Sequence, residues 1–121
     1  MGSIEIRADR AKNRLYIAMR DFITTAEAKA AADLTINEAK SLKAGFSVIN
    51  DISTFKPTTS EGLEEVKRAQ AFLKQHGVGR VIRILDAPSL SASQMQRKSA
   101  EVGYKADTAG TIEEAERLLG D

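Results

Sequence analysis

Two short apolar-rich runs, Ile4 to Ile6 and Leu15 to Met19, flank the polar stretch Arg10-Ala-Lys-Asn13 and predict a β-hairpin that starts a sheet. Thr24 then stands three residues before Glu27. At that spacing each side chain can satisfy a backbone amide of the other residue, so a helix is expected to begin there. Ala28, Ala31, Ala32, Ala39 and Leu42 follow helical spacing as a stripe of small apolar residues suited to close packing on a sheet, and Gly45 is expected to end the helix. Ala30 and Leu34 fall away from that stripe and read as ordinary surface apolar content.

Phe46-Ser-Val-Ile49 predicts a strand that enters a polar turn at Asn50-Asp51. A second helix has two possible starts: Thr58 with Glu61 has the capping-box spacing, and Ser60 can cap directly. Gly62, Val66, Ala69 and Leu73 form its apolar stripe, Phe72 widens it, and Gly77 closes it. Arg80 to Leu85 predicts a strand bounded by Gly79 and Asp86-Ala-Pro88. Arg83 shares a face of that strand with Val81 and Leu85. A guanidinium between two fully covered faces would need a buried partner, so a partly open face or a position near the sheet rim is expected. Ser91 with Gln94 predicts a polar helix reaching Val102, carrying Met95 and Ala100 and ending at Gly103. Tyr104 to Ala109 predicts a weak edge strand, and Thr111 with Glu114 opens a last helix packing Ile112, Ala115, Leu118 and Leu119. Helices alternate with strands after the hairpin, so the later strands are expected to be parallel, each reached through a helical crossover.

Composition narrows the function. A chain of 121 residues suits a single domain over 1–121. With 42% hydrophobic residues, 29% charged residues and a net charge of +1, it has no global field to steer nucleic acid or an anionic membrane, and neither partner is expected. No apolar run is long enough to span a bilayer, and no signal-peptide pattern stands at the N-terminus, so a cytoplasmic location is expected. Zero cysteines exclude disulfides and thiolate sites. A single histidine makes a zinc site or a serine–histidine couple hard to assemble on one chain. No metal and no cofactor are expected.

The remaining chemistry concentrates between Asp51 and Glu64. Thr58, Thr59 and Ser60 place hydroxyls at a helix mouth, where first-turn amides lack acceptors and carry partial positive charge. Such a mouth takes a capping oxygen, a phosphate or a partner's carboxylate. Asp51, Ser53 and Thr54 lie where a strand's C-terminal end meets a helix, a usual ligand position in open α/β sheets, and the alternative reading there is a turn held by side-chain hydrogen bonds, with Phe55 as its anchor. The pairs Glu64–Glu65 and Glu113–Glu114 are adjacent on helices, project about 100° apart and form no acid/base dyad. Arg7, Arg10, Lys12 and Arg14 read as a solvated edge around the hairpin. His76, in the last turn of the second helix, reads as a structural or solvated histidine near the helix C-terminus.

The element order, with the strand to Asp51 and the helix start Thr59-Ser60-Glu61-Gly62-Leu63, resembles the STAS domain of sulfate transporters and anti-sigma factor antagonists. In that family an Asp-Ser-Ser-Gly-Leu sequence opens the corresponding helix; Thr59 stands here for its Asp and Glu61 for its second Ser. The ending Thr108-Ala109-Gly110-Thr111-Ile112-Glu113-Glu114-Ala115 is similar to the family's final strand and Glu-rich last helix. The resemblance implies an α/β fold with a mixed, mainly parallel sheet, about four helices weighted to one face, and the N-terminal hairpin. It also implies a non-enzymatic regulatory interaction module whose partner is a protein such as a kinase or an anti-sigma factor. It carries the phosphorylated position to Ser60. Thr58, Thr59, Ser60, Glu61 and Glu64 are then the expected partner-binding residues, with Leu63 and Val66 supporting the helix from the core side. A small-ligand-binding domain using Asp51, Ser53 and Thr54 is the alternative, and a homo-oligomer is compatible with either.

Overall fold

Short β-branched runs form a sheet because helices cover their faces. The structure, a computed structural model, describes residues 2–56, 58–85, 96–98, 100–103 and 105–120. Strands β1 (Ser3–Asp9) and β2 (Arg14–Arg20) make the expected hairpin, closed by Asn13 at φ +53. Helix α1 (Thr25–Ala39), β3 (Ser47–Asp51), α2 (Ser60–Gln75), β4 (Val81–Ile84), β5 (Asp107–Ala109) and α3 (Ile112–Leu118) follow. Residues 96–98 and 100–102 are also helical. The helix start at Ser91 and Gln94, with Met95, lies outside the described residues, as do Asp86-Ala-Pro88 and Tyr104.

The five strands are ordered β1-β2-β3-β4-β5, antiparallel only between β1 and β2 and parallel thereafter. This is the mixed, mainly parallel sheet expected from the crossovers. Alternation along the strands splits the core into two layers. Leu15, Ile17, Met19, Val48 and Val81 pack on one face with Ala28, Ala39, Val66 and Leu73 of α1 and α2. Tyr16, Ile49, Ile82, Ile84 and Ala109 pack on the other with Ala115 of α3. Helices are thus weighted to one face. Alanines on α1 permit its close approach, while Ala30 and Leu34 are exposed as expected.

Thr24 caps α1 through the full reciprocal box with Glu27. Helix α1 ends at Ala39, before the expected stop at Gly45, because residues after Lys40 leave the helical path: Leu42 N–H turns back to Ala39 O, which buries the Leu42 side chain. Helix α2 closes by a Schellman motif, with Val78 N–H to Leu73 O and Gly77 N–H to Lys74 O. Gly77 has φ +99, and a Cβ there would lie 3.0 Å from Ala44 Cβ. On the outer strand, Ala8 N–H donates to Glu38 Oε1 of α1 at 3.1 Å.

Two polar residues sit deeper than expected. Arg14 is only 3% exposed and not part of a solvated edge. Its Nε donates to Ser47 Oγ at 3.1 Å, and its guanidinium lies 3.9 Å from Glu116, since the β2–β3 register brings Ser47 beside it and α3 closes over it. Arg83 is likewise 3% exposed, under the helical segment and not on an open face. Its Nη1 donates to Gln96 Oε1 at 3.0 Å, so a surface glutamine of that segment supplies the guanidinium with a polar partner.

Candidate functional site

Strand β3 delivers Asn50 and Asp51 to the C-terminal edge of the parallel strands, and the chain turns sharply afterwards. Asp51 Oδ1 accepts from Ser53 N at 3.1 Å and from Ser53 Oγ at 2.7 Å, an Asx-type turn that engages the carboxylate within its own loop. Phe55 anchors this loop: it is buried, forms a parallel bridge with Asp21, and brackets the Asp21–Thr54 and Lys56–Asp21 backbone hydrogen bonds. Asp51 and Ser53 are therefore brought together, whereas Thr54 points to solvent. Asp51 lines a small hollow of about 90 Å³ beside Arg7, Tyr16 and Ile112, which neither Ser53 nor Thr54 borders.

The three hydroxyl residues before α2 have different fates. Thr59 is the cap, with extended backbone at φ −71 and ψ 163 and Oγ1 accepting from Gly62 N at 2.9 Å. Both starts read from the sequence are corrected by this. Thr58 cannot cap because its Oγ1 donates to Ile23 O at 2.9 Å, a contact with the segment before α1. Ser60 cannot cap because it is already the first helical residue. Thr59 Oγ1 also shares a 2.6 Å hydrogen bond with Thr25 Oγ1, so the mouths of α1 and α2 are joined. Gly62 makes room for this arrangement, since a Cβ there would lie 2.7 Å from Thr58 Oγ1 and 3.1 Å from Thr59 Oγ1.

Ser60 is exposed, and its hydroxyl makes no hydrogen bond among the described residues. It opens onto a surface groove of about 470 Å³ floored by Leu63 and bordered by Glu61, Glu64, Arg97, Lys98 and Glu101. Leu63 and Val66 are buried, as expected for the core side of α2, and Glu61 and Glu64 are exposed. Lys98 donates to Glu64 at 2.8 Å and lies 3.3 Å from Glu101, which also pairs with Lys67 at 3.1 Å. The Lys98 hydrogen bond holds the Glu64 carboxyl below its usual range, and bonds from Lys67 and then Lys98 do the same for Glu101. The hydrogen bond to Glu64 raises Lys98 in turn. The carboxylates of these pairs are exposed at the surface, so the coupling contributes little to stability.

Sequence reading placed Thr58 to Glu64 at the mouth but missed Thr25, Arg97 and Lys98, which reach it through tertiary packing. Only the Lys98–Glu101 spacing of three, ordinary for a helix ion pair, hinted at order there. His76, the last-turn histidine, sits at the C-cap, its Nε2 is 3.0 Å from Leu42 O, and its ring stacks on Phe72. That is a structural position. Among the described residues no cluster of three or more His, Cys, Asp or Glu residues is placed to hold a metal, and no helix is long and apolar enough to cross a membrane.

No family model matches the chain, and no curated protein matches it by sequence. Solved structures do match by shape. The anti-sigma factor antagonist SpoIIAA in its unphosphorylated form aligns with a TM-score of 0.60 at 14% identity, over 98% of this chain and 100% of that one. An anti-sigma factor antagonist from Mycobacterium paratuberculosis aligns with a TM-score of 0.60 at 14% identity, over 100% of this chain and 96% of that one. The chain therefore has the STAS fold of these antagonists.

Proposed function

We propose that this protein is a non-enzymatic, cytoplasmic regulatory module that docks a protein partner through the mouth of α2 and is switched by phosphorylation of Ser60. The observation that carries the reading is the division of labour among three adjacent hydroxyls. Thr58 and Thr59 are tied to Ile23, Gly62 and Thr25, while Ser60 is exposed with its hydroxyl unengaged among the described residues. Ser60 is thus the chemically available one, at a helix start where a phosphate is electrostatically welcome.

Charge arithmetic explains how such a modification would act. Glu61, Glu64 and Glu101 oppose Arg97 and Lys98 around the groove, three carboxylates against two cations, a local net charge of −1. A phosphoserine adds about −1.5 to −2, taking the groove to roughly −3. A partner selected for the near-neutral groove would then be repelled, and Thr59, Glu61 and Glu64 would form the rest of its footprint. The small-ligand reading of Asp51, Ser53 and Thr54 has less support, since the Asp51 carboxylate is already occupied by Ser53.

The test uses a photo-crosslinking residue at Glu61 in the full chain, in extracts of its native host. The same protein should be captured by the otherwise unaltered chain and by a distant-surface control, Lys29→Glu, and lost from Ser60→Glu. Intact-mass and peptide mapping of the chain from cells should place phosphate on Ser60. Capture indifferent to Ser60→Glu, together with no phosphate on that peptide in cells or in kinase mixtures with ATP, would refute the proposal.

A further inference from the structure

We infer that the hollow on the sheet face opposite α1 and α2, between the hairpin and the start of α3, binds a small zwitterion: a free amino acid with a short apolar side chain. Strand register builds the hollow. Glu5, Ala18 and Asp51 lie side by side across β1, β2 and β3, and Arg7 lies opposite Tyr16 two residues further along the hairpin. Ala18 is buried and carries only a methyl group between two longer neighbours, so the sheet surface dips there. Ile49 continues the floor, and Ile112, the first residue of α3, stands at the wall with 42% of its surface exposed.

Four charged side chains border the hollow, and they do not all cancel in pairs. Arg20 lies 3.6 Å from Glu5, which accounts for one cation and one anion. Arg7 has no carboxylate partner among the described residues, and its guanidinium lies 4.1 Å from the centre of the Tyr16 ring. That ring is itself fixed, since Tyr16 is buried and its hydroxyl donates to Glu116 at 2.8 Å. Stacking on a fixed ring orients a guanidinium while leaving its in-plane N–H donors for an anion. Asp51 has no cationic partner among the described residues, and Ser53 engages only its Oδ1, leaving Oδ2.

One unmatched cation and one unmatched anion therefore face the same apolar floor. A simple anion in the hollow would sit beside Asp51 and Glu5, and a simple cation beside Arg7 and Arg20, each against like charge. A zwitterion satisfies both ends: its carboxylate accepts from the Arg7 guanidinium, and its ammonium donates to Asp51 Oδ2. Strand spacing and rise put the Cα atoms of Arg7 and Asp51 about 12 Å apart, a gap that two inward-leaning side chains and one short molecule fill. The volume of about 90 Å³ is room for roughly six to nine waters, hence for a ligand with about as many heavy atoms, the size of alanine or valine. Its side chain rests on Ala18 and Ile112. The site stands apart from Ser60 and does not depend on a protein partner or on phosphorylation.

Backbone amide chemical shifts of the full chain, followed during titration with L-valine, read the site directly. Saturable shifts are expected at Arg7, Ala18 and Asp51, with a Kd on the order of 1 mM for so small a ligand on an open surface. Isobutyrate keeps the carboxylate and side chain of valine without the ammonium, and isobutylamine keeps the ammonium without the carboxylate. Each should bind at least ~10-fold more weakly than valine. Arg7→Gln, at an exposed position, should weaken valine at least ~10-fold. Asp51→Asn, which keeps an oxygen for Ser53, should weaken valine but not isobutyrate. No saturable shift at about 20 mM valine, well above that Kd, would overturn the inference. So would isobutyrate or isobutylamine binding as tightly as valine, or valine binding unchanged in Arg7→Gln. The comparison of the three ligands on the unaltered protein decides the question if a substitution prevents folding.

Discussion

Replacing Thr59 by alanine tests whether the two helix mouths are held as one unit. The substitution removes the Oγ1 that accepts from Gly62 N at 2.9 Å and pairs with Thr25 Oγ1 at 2.6 Å. Loss of a threonine cap typically costs about 1 kcal/mol, within a range of roughly 0.5–2. The hydroxyl pair adds about 0.5–1.5 kcal/mol for an intramolecular hydrogen bond in a half-buried setting. The sum is about 2 kcal/mol. For a chain of 121 residues, an unfolding entropy of about 2.1 cal/mol/K per residue makes each kcal/mol worth ~4 °C, so the midpoint should fall by ~8 °C. Urea unfolding gives the free energies, and a cycle with Thr25→Val isolates the pair, which should couple by ~1 kcal/mol. Thr59→Ser, which keeps the oxygen, should recover at least half the loss. If Thr59→Ala costs under about 0.5 kcal/mol, below the usual range for a cap, or the cycle shows additivity within about 0.3 kcal/mol, the mouths are independent and the reasoning fails.

Phe55→Ala should destabilise by about 3–5 kcal/mol and raise amide exchange at Asp21 and Lys56, which the loop pairs; protection unchanged at both would show that another group anchors it. Tyr16 titrates at the alkaline end, its phenol raised above the ordinary value first by burial and then by the hydrogen bond to Glu116 at 2.8 Å. The folded state therefore holds this proton more tightly than the unfolded chain, and the contribution is complete below about pH 10 and lost as pH rises through the folded value. Absorbance at 295 nm should show a late-ionising tyrosine that Tyr16→Phe removes, and a titration in which Tyr16→Phe deletes only an ordinary component would contradict the assignment.

The hairpin, the alternation and the α1 cap were legible because each is local: Thr24 with Glu27, alternating apolar runs, and glycines that permit unusual φ. The opening of α2 was not. Thr58, Thr59 and Ser60 are chemically similar caps, and the choice among them was made by Ile23 O and Thr25 Oγ1, thirty-odd residues away in sequence. Gln70 falls on the apolar stripe of α2, but a polar side chain gave no signal that it would enter the core. Arg14 and Arg83 were misplaced for a related reason, since the acceptors that make their burial tolerable, Ser47 and Gln96, become neighbours only once strands and helices assemble. At the candidate site Ser60, Glu61 and Glu64 were readable on the rim of one helix, while the cations facing them came from another segment.

Glu38 reaches from α1 to the outer margin of the sheet and occupies the amide of Ala8. A stray extended peptide arriving at that margin meets an interrupted row of donors and must first evict a side chain rooted in a packed helix. Recruitment of a foreign strand is thereby opposed at Ala8, and removing the carboxylate with Glu38→Ala should leave that margin more open to pairing.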